Sequence, residues 1–102
     1  MVFVELLRRG YEIGKTLFYY RSRNDKEVDF VLRHGNKVVE LLQVCYDMSS
    51  PKTERREVTS LIECAEELRC SNYRIITWDE ERVVEEGAGI EVVPFWKWGR
   101  RE

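Results

Sequence analysis

The residues best placed to do chemistry lie on two adjacent segments near the front of the chain. Alternating or continuous apolar residues predict strands over 26–31 and 37–46, and the Gly-Asn pair between them predicts a hairpin turn. The first strand carries one carboxylate among apolar residues, Asp29, and the second carries Gln43 and Cys45 two positions apart. Because side chains alternate along a strand, Gln43 and Cys45 share one face of the predicted sheet.

A carboxylate that faces a spaced pair on the neighbouring strand is the layout of a metal-dependent phosphodiesterase site. That chemistry requires a carboxylate and a lysine at the two positions of the pair. This chain has Gln43 and Cys45 there instead. The layout of such a site is therefore predicted without its full set of reactive groups.

The composition is typical of one small domain. The chain has 102 residues, of which 43% are hydrophobic and 35% charged, and its apolar runs are only a few residues long. This length supports a single core, and no run is long enough to span a membrane. The chain shows no secretory leader pattern, and its three cysteines include no C-x-x-C pair. We therefore expect a cytoplasmic protein without disulfides.

The charge of the chain argues against a general nucleic-acid-binding protein. The net charge is −2, whereas such proteins usually carry a basic stripe. Basic pairs occur, but most are diluted by nearby acids, as in the Glu-Arg-Arg-Glu run over 54–57. A solvated surface is the simpler interpretation, and DNA stays a candidate partner that the charge does not favour.

Apolar spacing and terminal signals predict the elements of the first two thirds of the chain. An opening helix ends before Gly10, and four apolar side chains share one of its faces: Val2, Phe3, Leu6 and Leu7. An aromatic segment over 15–22 predicts the first strand, ahead of the hairpin. Ser50 as N-cap, followed by proline and an apolar stripe, predicts an amphipathic helix over about 51–69. We expect Asn72 to close this helix in a left-handed conformation.

The last third predicts a strand over 73–78, a small hairpin of 82–85 and 90–93 joined through Gly87-Ala88-Gly89, and a short aromatic helix after Pro94. A helix between the third and fourth strands predicts a parallel crossover connection. The predicted order is α-β-β-β-α-β followed by β-β-α, which is an α/β sandwich around a mixed sheet.

Five segments carry a resemblance to a known superfamily: FVELLRRG at 3–10, EVDFV at 27–31, QVCYD at 43–47, IITWD at 75–79 and PFWKW at 94–98. With these segments the chain resembles the PD-(D/E)XK nucleases, whose core has the same α-β-β-β-α-β order. More narrowly, it resembles the C-terminal domain of unknown function that follows the P-loop module in many archaeal and bacterial AAA-type ATPases. The resemblance implies one restriction-endonuclease-like domain over residues 1–102.

The resemblance also implies roles for four positions. Glu5 matches the glutamate of the superfamily's first helix, Asp29 matches the aspartate of its second strand, and Gln43 and Cys45 fall on its (D/E)-x-K pair. In the superfamily, two carboxylates hold a cation such as Mg²⁺, and the lysine orients and helps to deprotonate the attacking water. Gln43 is neutral, and Cys45 is a poor Mg²⁺ ligand that cannot replace a cation. Only Glu5 and Asp29 then remain to bind metal, so we expect no tightly bound cofactor.

The other candidate residues favour structural roles. His34 is the only histidine and lies in a turn, and Glu40 has an odd offset from Gln43 that predicts the opposite sheet face. No phosphate-binding G-x-x-x-x-G-K-[ST] pattern occurs, so this chain does not itself hydrolyse ATP. The aromatic tail over 94–98 is interpreted as cover for the core.

Three functions are compatible with these features. The first is a catalytically degenerate nuclease-fold module that contacts protein or nucleic acid and is normally attached to a P-loop ATPase, as the C-terminal part of a longer protein. The second is a metal-dependent DNA endonuclease with a rearranged active site that keeps Glu5 and Asp29. The third is a structural unit that forms homodimers through exposed strands. The candidate partners are accordingly an upstream ATPase module, DNA or a second copy, and no membrane.

Overall fold

The computed structural model describes residues 1–84 and 89–100, which form a mixed α/β domain of three helices and a six-stranded sheet. The elements are α1 Val2–Arg8, β1 Leu17–Arg21, β2 Glu27–His34, β3 Lys37–Val44, α2 Pro51–Leu68, β4 Tyr73–Thr77, β5 Arg82–Val84, β6 Ile90–Pro94 and α3 Phe95–Trp98. This succession agrees with the one predicted from the sequence. None of the helices described has the length and hydrophobicity to cross a bilayer.

The strands lie in the order β1-β2-β3-β4-β6-β5. Strand β2 runs antiparallel to both β1 and β3, whereas β4 runs parallel to β3 and β6 runs parallel to β4. The parallel crossover through α2 is thus confirmed. Strands β5 and β6 form the predicted antiparallel pair. Glu85, the last residue of the predicted strand over 82–85, lies outside the described residues, as do Gly87 and Ala88 of the predicted connection.

The sheet separates two apolar layers. One layer packs α2 against the sheet through its predicted stripe, including Val58 and Leu61. The other layer packs Val2 and Leu6 of α1 and Trp98 of α3 against the opposite face. The side chain of a strand residue therefore points into one of the two layers, and this determines which helix a site residue can contact.

Helix α1 buries a narrower face than its apolar residues predict. Val2 and Leu6 are buried, but Phe3 is 39% exposed and Leu7 is 41% exposed. Successive residues of a helix are about 100° apart, so the contact of a seven-residue helix with a flat sheet follows one i, i+4 pair. Phe3 is turned sideways and stacks on Phe30, with ring centroids 6.4 Å apart.

Helix α2 begins as predicted, with Ser50 at the N-cap and proline at the first turn, but it ends differently. The left-handed residue is Arg69, with φ of 55°, and the prediction for Asn72 was wrong. Asn72 lies beyond the helix, where its side-chain amide donates to the carbonyl oxygen of Val39 at 3.1 Å. Its polar side chain ties the helix exit to β3 and does not serve a left-handed turn.

We predict that Arg69→Gly stabilises the domain by about 0.5–1 kcal/mol, because glycine adopts the left-handed conformation without a steric penalty. The matched control is Arg55→Gly, an exposed position inside the same helix, where glycine should cost about 1 kcal/mol. Urea denaturation of both variants measures the free energies of unfolding. A loss of stability in Arg69→Gly would contradict the assignment of the helix end.

Candidate functional site

The candidate site lies where the pairing of β2 with β3 ends. The ladder between them extends to Phe30 and Leu42. One residue further along, the Asp29 N–H donates to Oε1 of Gln43 at 3.0 Å, and the Val44 N–H donates to the Asp29 carboxylate at 2.9 Å. At this point the backbone N–H of each strand donates to a side-chain oxygen of the other strand, where a regular ladder would supply a backbone carbonyl oxygen.

A β-bulge in β2 determines where Asp29 lies. Phe18 of β1 pairs with Val31 of β2, and Tyr20 of β1 pairs with Val28 of β2. Between these two pairs, β2 advances by three residues but β1 by only two. Such an insertion interrupts the alternation of side chains. Val28 and Val31 therefore both pack in the α2 layer, although they are an odd number of positions apart.

Gln43 uses its whole amide group within the protein. The side chain is on the α2 side of the sheet, and the residue is 5% exposed. Its Oε1 accepts the Asp29 N–H, while its Nε2 donates to the Glu27 carbonyl oxygen at 3.1 Å and to the Glu57 carboxylate at 2.8 Å. Gln43 therefore joins β2, β3 and α2 at one point.

Glu57 is the functional candidate that the sequence did not single out. Its side chain is only 16% exposed, and burial raises the pKa of its carboxyl, with a smaller contribution from the negative charge of Asp29. Hydrogen bonding to Gln43 and the charge of Arg56 oppose this rise in pKa. The sequence did contain one indication that Glu57 is partly buried. Glu57 lies one helical turn before the buried Leu61, so it borders the apolar stripe of α2.

Asp29, Gln43 and Glu57 line one open cavity of about 360 Å³, together with Arg56 and Ser60 among other residues. Asp29 retains exposed surface, but the protein around its carboxyl limits hydration and raises its pKa, with the nearby charge of Glu27 adding to the rise. The Val44 N–H opposes that rise by stabilising the ionised form. The cavity thus holds two carboxyl groups whose ionisation the surrounding protein disfavours.

Cys45 directly follows β3, because the strand predicted over 37–46 ends at Val44. Cys45 is half-buried against the α2 layer, which is the side of the sheet predicted for it and the side on which Gln43 lies. Its thiol donates to the Asp47 carbonyl oxygen at 3.4 Å. Burial, with a contribution from the charge of Glu57, raises the pKa of the Cys45 thiol. The group is therefore a neutral thiol at physiological pH.

Glu5 lies apart from the other predicted site residues. Its carboxylate accepts hydrogen bonds from Arg8 at 2.9 and 2.7 Å and from Arg9 at 2.8 Å. These guanidinium groups lower the pKa of Glu5 to about 2. Glu5 is not among the residues that line the cavity of Asp29 and Gln43. The structure thus brings Asp29 and Gln43 together, places Cys45 on the α2 side of the sheet just after β3, and pairs Glu5 with arginines of its own helix.

The donor set of this cavity does not fit a divalent cation well. Within residues 1–84 and 89–100, no group of three or more His, Cys, Asp or Glu side chains could hold a metal ion. A hard cation would take the Glu57 carboxylate and the Glu27 carbonyl oxygen, but Gln43 already donates to both. The glutamine amide thus occupies the position that a cation would need.

The remaining candidates lie elsewhere. Glu40 is on the α1 side of the sheet, opposite Gln43 as its offset predicts, and its carboxylate pairs with Arg74 at 2.9 Å. His34 ends β2 and meets the ring of Tyr11 edge-on, with centroids 6.3 Å apart. Both Glu40 and His34 line a second cavity, which does not include the site of Asp29.

We predict that Glu57→Gln raises the stability of the domain at pH 7. A folded-state pKa above the unfolded value means that stability is lost as pH rises through that pKa, and glutamine keeps an acceptor for Gln43 without the charge. The difference from wild type should shrink as the pH is lowered to about 4, near the unfolded pKa of glutamate. Thermal melts across this pH range provide the measurement, and exposed Glu66→Gln is the matched control on α2. A Glu57→Gln variant less stable than wild type at pH 7 would contradict the pKa direction.

Fold and site together define a small mixed α/β domain with a polar site at the end of its β2–β3 ladder. Residues 1–98 match the family described as domain of unknown function DUF4143, and the chain belongs to this family. It is 39% identical over 105 residues to an uncharacterized protein of the archaeon Methanocaldococcus jannaschii. That match covers 96% of this chain but 23% of the relative, so the chain spans about a quarter of the relative's length. No solved structure matches the chain significantly.

Proposed function

We propose that this chain is a catalytically degenerate, restriction-endonuclease-like domain that serves as an interaction module. One observation carries the proposal. At the position where the PD-(D/E)XK pattern has a metal-binding carboxylate, Gln43 donates both to the Glu27 carbonyl oxygen and to Glu57 and accepts the Asp29 N–H. Both donor hydrogens of this amide and one lone pair of its oxygen are engaged inside the protein, so Gln43 stabilises the fold and offers a cation neither a charge nor more than one remaining lone pair.

Two further observations support this proposal. The observed order α-β-β-β-α-β, with a mixed sheet and a helix layer on each face, is compatible with the core that the resemblance to the nuclease superfamily implies. The archaeal relative is more than four times longer than the matched segment, as expected of a module that works within a longer protein. We propose that the attached part is a P-loop ATPase, on the resemblance of the sequence.

Calorimetric titration with Mg²⁺ and Mn²⁺ tests the loss of the metal site. We expect no submillimolar binding, because the Gln43 amide already donates to the Glu57 carboxylate and no group of three acidic side chains within residues 1–84 and 89–100 could hold a metal ion. The control is Asp29→Asn, which keeps an oxygen for the Val44 N–H and removes the charge. Submillimolar binding that disappears in Asp29→Asn would overturn the proposal.

The alternative is a metal-dependent DNA endonuclease with a rearranged site. The observation in its favour is Glu57, which contributes a carboxylate from α2 to the cavity that Asp29 also lines. This alternative predicts nicking of supercoiled plasmid in Mn²⁺ that is abolished by Asp29→Asn and by Glu57→Gln but not by Glu66→Gln. Absence of nicking in the wild type, at protein concentrations where the domain is folded, would eliminate it.

A further inference from the structure

Two exposed aromatic side chains meet just beyond the carboxyl ends of β3 and β4. Tyr46 is 48% exposed and Trp78 is 58% exposed. Their rings are edge-to-face, with centroids 6.4 Å apart. The Trp78 N–H donates to the Tyr46 carbonyl oxygen at 3.2 Å, which holds the two residues side by side. The backbone bond and the edge-to-face contact hold the two rings side by side, and both rings stay open to solvent for contact with a partner.

This pair continues into an apolar depression of about 310 Å³ on the α1 side of the sheet. Met1, Phe3, Phe30, Val44 and Tyr46 contribute to its lining. We call these five residues with Trp78 the aromatic groove. Phe3, which is 39% exposed, adds apolar surface beside Phe30 and Tyr46, so the groove is a contiguous patch rather than scattered single residues.

Negative charge surrounds the aromatic groove. Asp29 is one of the residues that line the depression, and Asp47 and Asp79 are exposed residues that directly follow Tyr46 and Trp78. Hydrogen bonding to Ser49 lowers the pKa of Asp47, so this carboxyl is ionised at neutral pH. No lysine or arginine side chain is among the described residues that line the depression.

We propose that the aromatic groove binds a segment of a partner protein in which apolar side chains alternate with arginine or lysine. This inference rests on the proposed function as an interaction module. A guanidinium or ammonium group is attracted both to the face of a tryptophan or tyrosine ring and to the flanking carboxylates. Apolar side chains of the same segment fill the depression between Phe3 and Phe30. Nucleic acid is a poorer fit, because its phosphates would face Asp29, Asp47 and Asp79.

Fluorescence anisotropy with a labelled ten-residue peptide of alternating leucine and arginine tests the proposal. We expect the peptide to bind the wild-type domain and a matched peptide with glutamate in place of arginine to bind at least tenfold more weakly. Trp78→Ala and Tyr46→Ala should each weaken binding roughly tenfold. The matched control is Trp96→Ala, because Trp96 is 55% exposed but belongs to α3 and does not line the depression. The double variant Asp47→Asn/Asp79→Asn should weaken binding and reduce its salt dependence.

Several results would overturn the proposal. These are equal affinity for the two peptides, equal loss in Trp96→Ala and Trp78→Ala, or preferential binding of a labelled oligothymidylate. A dimer in sedimentation experiments that dissociates in Trp78→Ala would place a second copy in the groove and overturn it too. Plasmid nicking abolished by Asp29→Asn would overturn the proposed function whatever the peptides do. Failure of the peptides without any nicking overturns the groove assignment alone.

Discussion

Gln43→Leu is expected to destabilise the domain by about 3 kcal/mol, since each buried polar group left without a partner costs about 1–3 kcal/mol. Leucine has a similar volume but cannot replace the bonds to the Asp29 N–H, the Glu27 carbonyl oxygen and the Glu57 carboxylate. The cavity is open on one side, so water can partly hydrate the released groups. For a domain of this size, the melting temperature should fall by roughly 12–24 °C.

Urea denaturation followed by circular dichroism measures this loss of stability. Glu57→Gln is the matched control, because it preserves an acceptor for the Gln43 amide and should not be destabilising. A Gln43→Leu variant within about 0.5 kcal/mol of wild type would behave like an ordinary surface substitution. That outcome would show that the bonds of Gln43 do not hold β2, β3 and α2 together.

The double variant Gln43→Glu/Cys45→Lys is expected to be unstable without metal and to be stabilised by Mn²⁺. The introduced glutamate would face the carboxyl groups of Asp29 and Glu57 and the Glu27 carbonyl oxygen, so its ionised form is disfavoured until a cation binds. Lysine at the half-buried position of Cys45 adds an overpacking cost of about 1–3 kcal/mol. Metal at a hundred times its dissociation constant should restore about 2.7 kcal/mol.

Thermal melts during a Mn²⁺ titration check this expectation. The same double variant combined with Asp29→Asn is the control, and it should respond more weakly to Mn²⁺. The pKa of the introduced glutamate is raised in the folded state, so the deficit of Gln43→Glu alone should shrink as the pH falls towards about 4. A melting temperature that does not respond to Mn²⁺ would show that positions 43 and 45 do not form the site that the resemblance implies.

The sequence alone determined the features that depend on local periodicity. Apolar alternation placed β2 and β3, and the stripe after Ser50 placed α2 to within one residue of its observed end. The helix between β3 and β4 made their parallel pairing predictable, because antiparallel neighbours need no such crossover. The alternation of side chains along β3 correctly put Gln43 and Glu40 on opposite faces, and Cys45, just after the strand, lies on the same side of the sheet as Gln43.

Only the tertiary structure decided how the site is assembled. The bulge in β2 depends on pairing with β1, so periodicity could not give the position of Asp29. Glu57 reaches Gln43 because α2 packs across the sheet, and fourteen residues separate them in the chain. Glu5 is held by Arg8 and Arg9 on its own helix and does not line the cavity of Asp29. Local propensity acts over a few residues, whereas these contacts depend on how whole elements pack and which charges they bring together.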